Sequence, residues 1–167
     1  MIKIENTEAF GWEAAIRGLR NPKNSWGKSD SRWEDKSNDE VKWIIGENDY
    51  DLMMRLAKAG PEHAKYRRMI VVYADVTAPL YWWKEYDTYK IGTVANSCST
   101  MHKIHSKQFE LADFSHEHLT FSSSIALQEV IYNLNYWRAQ YELADTDKVR
   151  KESWWQLIQL LPNSYNQ

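Results

Sequence analysis

Cysteine is nearly absent from this chain. The single Cys98 excludes an internal disulfide framework, and a reducing cytoplasm is the expected compartment. No apolar run approaches the roughly 20 residues of a membrane-spanning helix, so no membrane association is expected. The opening residues Met1-Ile2-Lys3-Ile4-Glu5 lack the apolar core of a signal peptide. Positive charge is not in excess either. The 21 Lys and Arg face 23 Asp and Glu, for a formal net charge of -2, which removes the electrostatic case for general nucleic-acid binding. Also missing are internal repeats, low-complexity tracts, a Gly-rich phosphate loop, a dinucleotide fingerprint and a Ser-His-Asp arrangement.

What the chain does have is aromatic side chains, with 9 Trp and 10 Tyr. Such residues fill cores and subunit interfaces, and they also stack on nucleobases. The length of 167 residues suits one domain. Residues 2–5 alternate apolar and charged, as a short strand does. Asn6 or Thr7 can cap a helix running to about Arg20. Residues 21–40 are rich in Asn, Ser, Asp and Lys and read as a long polar loop.

A helix is predicted over 47–59, with Leu52, Leu56 and Ala59 at helical spacing and Gly60 closing it. Pro61 suits the first turn of a short helix over 62–68. Residues 69–76 are apolar and β-branched, the clearest strand in the chain. Thr77 and Pro79 then open a helix that carries Trp82, Trp83 and Tyr86 and ends near Tyr89. Residues 90–105 show no clear period, and 109–120 form a polar link. The strongest helix covers 123–144, with Leu127, Val130, Ile131, Leu134, Trp137 and Tyr141 as its apolar stripe. Thr146 or Asp147 caps a last helix ending near Leu161-Pro162. The fold class is α+β, helix-rich with a small, mostly antiparallel sheet.

Chemistry has few anchors in these residues. His102-x-x-His105 and His116-x-His118 have loose spacing and no Cys partner pair, so no metal site is expected. Cys98 sits in the small polar run Asn96-Ser97-Cys98-Ser99-Thr100, which reads either as a binding segment or as a plain turn. No base adjacent to Cys98 marks it as a nucleophile, and no catalytic residue is assigned.

The order of elements resembles the flavin-dependent thymidylate synthases. In that family a helix ending in Gly is followed by a Glu-His pair, then a strand, then an Ala-Pro helix carrying Arg-His-Arg-x-x-Ser-x-Asn-Glu-x-Ser-x-Arg. Here Gly60, Glu62-His63, the strand to Val76 and Thr77-Ala78-Pro79-Leu80-Tyr81 follow in that order, and the signature falls on 88–100. Leu160-Leu161-Pro162 is similar to the family's Leu-Pro turn. The resemblance covers most of the chain and is specific only over 62–100.

The resemblance implies cofactor contacts at Glu62, His63, Tyr89, Lys90 and Thr93, and substrate contacts at Glu85, Asn96, Cys98, Ser99 and Thr100. It implies FAD as cofactor, a pyrimidine nucleotide as ligand and a homotetramer. The departures argue against ordinary catalysis. The family's flavin-holding Arg-His-Arg is Thr88, Tyr89 and Lys90 here, and its phosphate-gripping Arg is Thr100. Ala95-Asn96 replaces Asn-Glu, and Glu85 stands in place of a nucleotide-contacting Gln. A Thr cannot reproduce a bidentate Arg pair, whose loss costs about 1.5–3 kcal/mol. The chain also stops at Gln167, before the family's next helix, which suggests truncation relative to the family. The expected function is nucleotide binding by a divergent homologue with catalysis lost or altered. The alternatives are an active flavin- and folate-dependent enzyme with a changed pyrimidine substrate, and a non-catalytic oligomeric structural or interaction protein.

Overall fold

A computed structural model describes residues 2–36, 40–89 and 91–167. We read the chain as one domain from its length; by its contacts it divides into two compact units, Glu5–Asp75 and Met1–Ile4 with Val76–Gln167. The fold is α+β, with two small two-stranded antiparallel sheets among the described residues.

In the Glu5–Asp75 unit the chain order is β1 (Lys3–Phe10), α1 (Trp12–Arg20), β2 (Arg32–Lys36), β3 (Glu40–Ile44), α2 (Glu47–Lys58) and β4 (Val71–Thr77). Most of β1 and β4 lies in this unit, where they pair as a ribbon. Asn6 Nδ2 donates to Asp75 Oδ2 at 2.7 Å, and the Phe10 and Tyr73 rings meet edge-on at 5.9 Å, so the two strands run antiparallel. This ribbon corrects the expected helix from Asn6 or Thr7. Pairing with a segment some 70 residues away overrides the local capping signal. The helix starts only after Gly11, which sits at φ 92; a Cβ there would lie 2.3 Å from the Met69 carbonyl oxygen. Glycine alone satisfies both conditions.

Residues 37–39 of the expected loop lie outside the described residues, and 21–36 are not the loop their polarity suggested. They hold two 3-10 turns, Asn21–Lys23 and Trp26–Lys28, and then β2, which pairs with β3. Trp33 faces Trp43 across this hairpin, and Glu34 faces Lys42. The two indoles meet at 5.1 Å and 65°, an edge-on pair of the kind that stabilises an antiparallel ladder. Glu47–Lys58 matches the predicted helix closely. The predicted short helix after Pro61 is a turn followed by a 3-10 stretch, Lys65–Met69.

Two features hold this unit. Ala15, Ile16, Met53 and Tyr66 form its apolar core, flanked by Trp12, Leu19, Trp43 and Ile70. Tyr66 keeps its hydroxyl satisfied by donating to the Met53 carbonyl at 2.8 Å. Beside that core sits a buried ion pair, Arg20 Nε to Asp49 Oδ1 at 2.6 Å. Asp49 is fully buried, and its other oxygen accepts the Ser29 and Ser31 hydroxyls, both at 2.6 Å, and the Asp30 and Ser31 backbone N–H groups. Asp30 in turn accepts from the backbone N–H groups of Asn48 and Asp49 at the start of α2. Gly46 admits that close approach: a Cβ there would lie 2.2 Å from the Asp30 carboxyl carbon.

The other unit, apart from residues 1–4, contains α3 (Leu80–Tyr86), α4 (Thr100–Lys103), α5 (Phe121–Leu143) and α6 (Asp147–Leu160). α5 and α6 form a hairpin, capped by Thr120 accepting from the Ser123 N–H and by Thr146 accepting from the Val149 N–H. Their facing stripes enclose Ile104, Phe109, Phe114, Leu127, Leu134 and Leu157. Asn135 on α5 uses its whole amide on Phe109, donating to its carbonyl at 2.9 Å and accepting from its N–H at 2.8 Å. That contact fixes the otherwise irregular link before α5.

α3 is shorter than the predicted 77–89 helix. Thr77 ends β4 instead of capping, and Pro79 bridges to Asn166 in an antiparallel pair. Ala78 and Gln167 exchange both backbone hydrogen bonds, at 3.0 and 2.9 Å. Tyr165 bridges to Phe114 on its other side. Extended pairing at 77–79 therefore postpones the helix. Among the described residues, no helix is long and apolar enough to cross a membrane.

Asp49 supplies two predictions. Asp49→Ala leaves the Arg20 guanidinium buried without its counter-charge, so thermal or urea unfolding should show about 3–5 kcal/mol lost. The Asp49 carboxyl is also lowered from 3.8 to about 2. Burial pushes it up, but the hydrogen bonds from Ser29, Ser31 and Arg20 outweigh burial. A depressed carboxyl stabilises fully above its unfolded value and loses that contribution as pH falls toward the folded one. The difference is about 2 kcal/mol, lost between roughly pH 5 and pH 2. Acid titration of tryptophan emission should show a shallower dependence in that window for Asp49→Asn than for wild type.

Candidate functional site

The densest aromatic cluster lies on α3. Trp82 and Tyr86, one helical turn apart, stack at 4.9 Å with an interplanar angle of 14°. Trp83 meets both edge-on, at 4.9 Å and 5.7 Å, and donates its indole N–H to the Gln167 carbonyl at 3.0 Å. The three rings are half-buried. Tyr89, near which the helix was expected to end, lies past its last turn and is 72% exposed.

Beyond α3 the chain runs from 87 to 99 without a helix or strand among the described residues. Glu85 is exposed on the last turn of α3. Thr88 Oγ1 donates to the Glu85 carbonyl, and Thr93 Oγ1 donates to the Tyr89 carbonyl, both at 2.7 Å. Lys90 lies outside the described residues. Asn96 and Cys98 are exposed, while Ser99 and Thr100 are partly covered where α4 begins. Gln167 Nε2 donates to the Cys98 carbonyl, and Trp154 Nε1 donates to the Met101 carbonyl at 3.0 Å. Glu85 is thus joined to Thr88, and Tyr89 to Thr93, by local backbone contacts, and Asn96, Cys98, Ser99 and Thr100 follow along one strip of chain. Glu62 and His63 are exposed residues of the other unit.

A flavin dinucleotide needs donors for its diphosphate. Apart from Lys90, residues 88–100 contain no cation. A threonine hydroxyl has one proton to give, and Thr88 and Thr93 already direct theirs to backbone carbonyls. These residues do not fit a diphosphate.

Charge in the same unit gathers near the end of the chain. Lys107 Nζ donates to Asp113, and that bond holds the lysine pKa above its usual value. Burial raises the Tyr165 hydroxyl; Asp113 and Cys98 add to the rise, and Lys107 opposes it. The His105 ring lies 4.2 Å from that of Tyr141, and its Nδ1 is buried without a partner among the described residues. His116 Nδ1 contacts the Phe114 carbonyl at 2.7 Å. Among the described residues, no three His, Cys, Asp or Glu side chains gather as metal ligands.

A second feature was not anticipated from the sequence. In the Glu5–Asp75 unit a cleft of about 200 Å³ opens between α1, the turn at Trp26 and strand β3. Glu13, Arg17 and Arg20 reach it from one face of α1, with Ile16, Trp26, Ser29 and Trp43 completing the lining. Helical spacing puts Glu13, Arg17 and Arg20 together, and that was the one signal available. Reading 21–40 as a loop hid Trp26, and residues 41–46 were assigned to no element, which hid Trp43. No family model, no curated protein and no solved structure matches the chain.

Proposed function

We propose that the chain is a nucleotide-binding protein, a divergent homologue of the flavin-dependent thymidylate synthases that holds a pyrimidine base without flavin chemistry. The observation that carries this reading is the stacked, half-buried Trp82–Tyr86 pair, followed at once by an exposed polar strip. A flat ring laid on such a pair gains stacking energy of about 1–3 kcal/mol, whatever its sequence identity. Asn96, Ser99 and Thr100 then offer neutral donors and acceptors for the base edge and sugar. Glu85 accepts hydrogen bonds from the ligand and disfavours a second anion close by.

In this reading the phosphate adds little, because Thr100 stands where an arginine fork would grip it. Uridine and its monophosphate should therefore bind within about tenfold of one another, since a lost charge-assisted contact is worth about 1.5–3 kcal/mol. Trp82→Ala should weaken both by roughly five- to a hundredfold, the range of one stacked base. Quenching of tryptophan emission measures both constants. Failure of any pyrimidine nucleoside or nucleotide to quench, or equal affinity in wild type and Trp82→Ala, would reject the reading.

A second property is favoured by β4. Val71, Val72 and Tyr73 are 52%, 60% and 61% exposed, an apolar run along a strand. Exposed strands of this kind invite pairing with another copy. Light scattering should give a mass that is a multiple of 19.8 kDa. A strictly monomeric mass across micromolar concentrations would count against self-association.

A further inference from the structure

We infer that the cleft beside α1 is a second binding site, and that it takes a small planar aromatic carboxylate. Most of its polar lining is already committed. Arg20 is held by Asp49 at 2.6 Å and donates to the Ser25 carbonyl at 3.2 Å. The Ser29 hydroxyl donates to Asp49, and Trp26 Nε1 donates to Asn21 Oδ1 at 2.8 Å. One lining group that a ligand can reach remains uncommitted. Arg17 has no hydrogen-bond or ion-pair partner among the described residues. Trp43 Nε1 has none either, but it is closed off from the open cleft, so Trp43 lines the cleft without offering its N–H.

The chemistry of the ligand follows from that inventory. Arg17 is a donor, so the ligand must bring acceptors, and its guanidinium favours an anion. Glu13 lines the same cleft, and its carboxylate accepts from Trp33 Nε1 at 3.3 Å. It repels a second negative charge, which selects a monoanionic carboxylate over a dianionic phosphate ester. Trp26, Trp43 and Ile16 supply flat apolar walls. A volume of about 200 Å³ is below that of sites for drug-sized molecules, so one or two fused rings fill it.

The test is a nitrogen-15 correlation titration that follows the tryptophan indole N–H signals. Trp43→Phe assigns the Trp43 signal by its disappearance. Indole-3-carboxylate and benzoate should shift it saturably. Benzamide and phenyl phosphate should bind roughly ten- to a hundredfold more weakly, the range of one charge-assisted contact. Arg17→Gln should weaken indole-3-carboxylate by a similar factor while leaving the remaining indole signals in place. An unmoved Trp43 signal at about 10 mM carboxylate, a range that excludes even millimolar affinity, would overturn the proposal. So would benzamide binding as tightly as benzoate to the wild-type protein, a comparison that needs no variant. Failure of the nucleoside titrations on Trp82 would leave this result untouched, since the two sites share no residue.

Discussion

One buried carboxylate organises the Glu5–Asp75 unit. Asp49 belongs to α2, yet it binds the end of α1 through Arg20 and the turn before β2 through Ser29, Asp30 and Ser31. Three segments far apart in sequence thereby converge on two oxygen atoms. A fully buried charge is tolerable only when paired and fully hydrogen-bonded, and Asp49 meets both conditions. The arrangement also shapes the cleft. By tying up Arg20 and Ser29, Asp49 leaves Arg17 as its free donor, so the structural pair sets the chemistry of the neighbouring site.

The Val76–Gln167 segment is held differently. Its centre is apolar, built from the facing stripes of α5 and α6 around Leu127, Leu134 and Leu157. Polar contacts work at its margins. Asn135 satisfies the backbone of Phe109, and the last residues of the chain lie between Ala78–Pro79 on one side and Phe114 on the other. These extended pairings place α3, and α3 places the stacked Trp82 and Tyr86. The polar strip that follows is the opposite case. Its threonine hydroxyls fold back on its own backbone, which is why neutral, short-range contacts and not phosphate grips characterise it.

Legibility differed from element to element for physical reasons. α5 could be read from its 3.6-residue stripe, and α6 from its threonine cap, since Thr146 does accept the expected N–H bond; the Thr120 cap of α5 lay in what read as a polar link. α2 was found within a residue or two from its helical spacing, and β4 from its apolar, β-branched run. The ribbon of β1 and the hairpin of β2 and β3 were not. Asn6, Thr7 and the polar run after Arg20 favour a cap and a loop when taken alone. Their strands exist because Asp75, Tyr73 and Trp43 wait across the ladder. The aromatic cluster on α3 was visible as a pattern, whereas the cleft of Arg17, Trp26 and Trp43 was not.

By itself, then, the sequence determined the helical hairpin, the α+β class, the scarcity of thiol and excess charge, and the neutral character of residues 88–100 outside Lys90. All of these depend on residue type and near-neighbour spacing. Tertiary structure alone decided where α1 and α3 begin, that 21–36 folds into turns and a strand, and which donor is left free beside Asp49. Those outcomes turn on partners tens of residues away, because strand pairing and ion-pair burial are set by which distant groups meet, a quantity no local window contains.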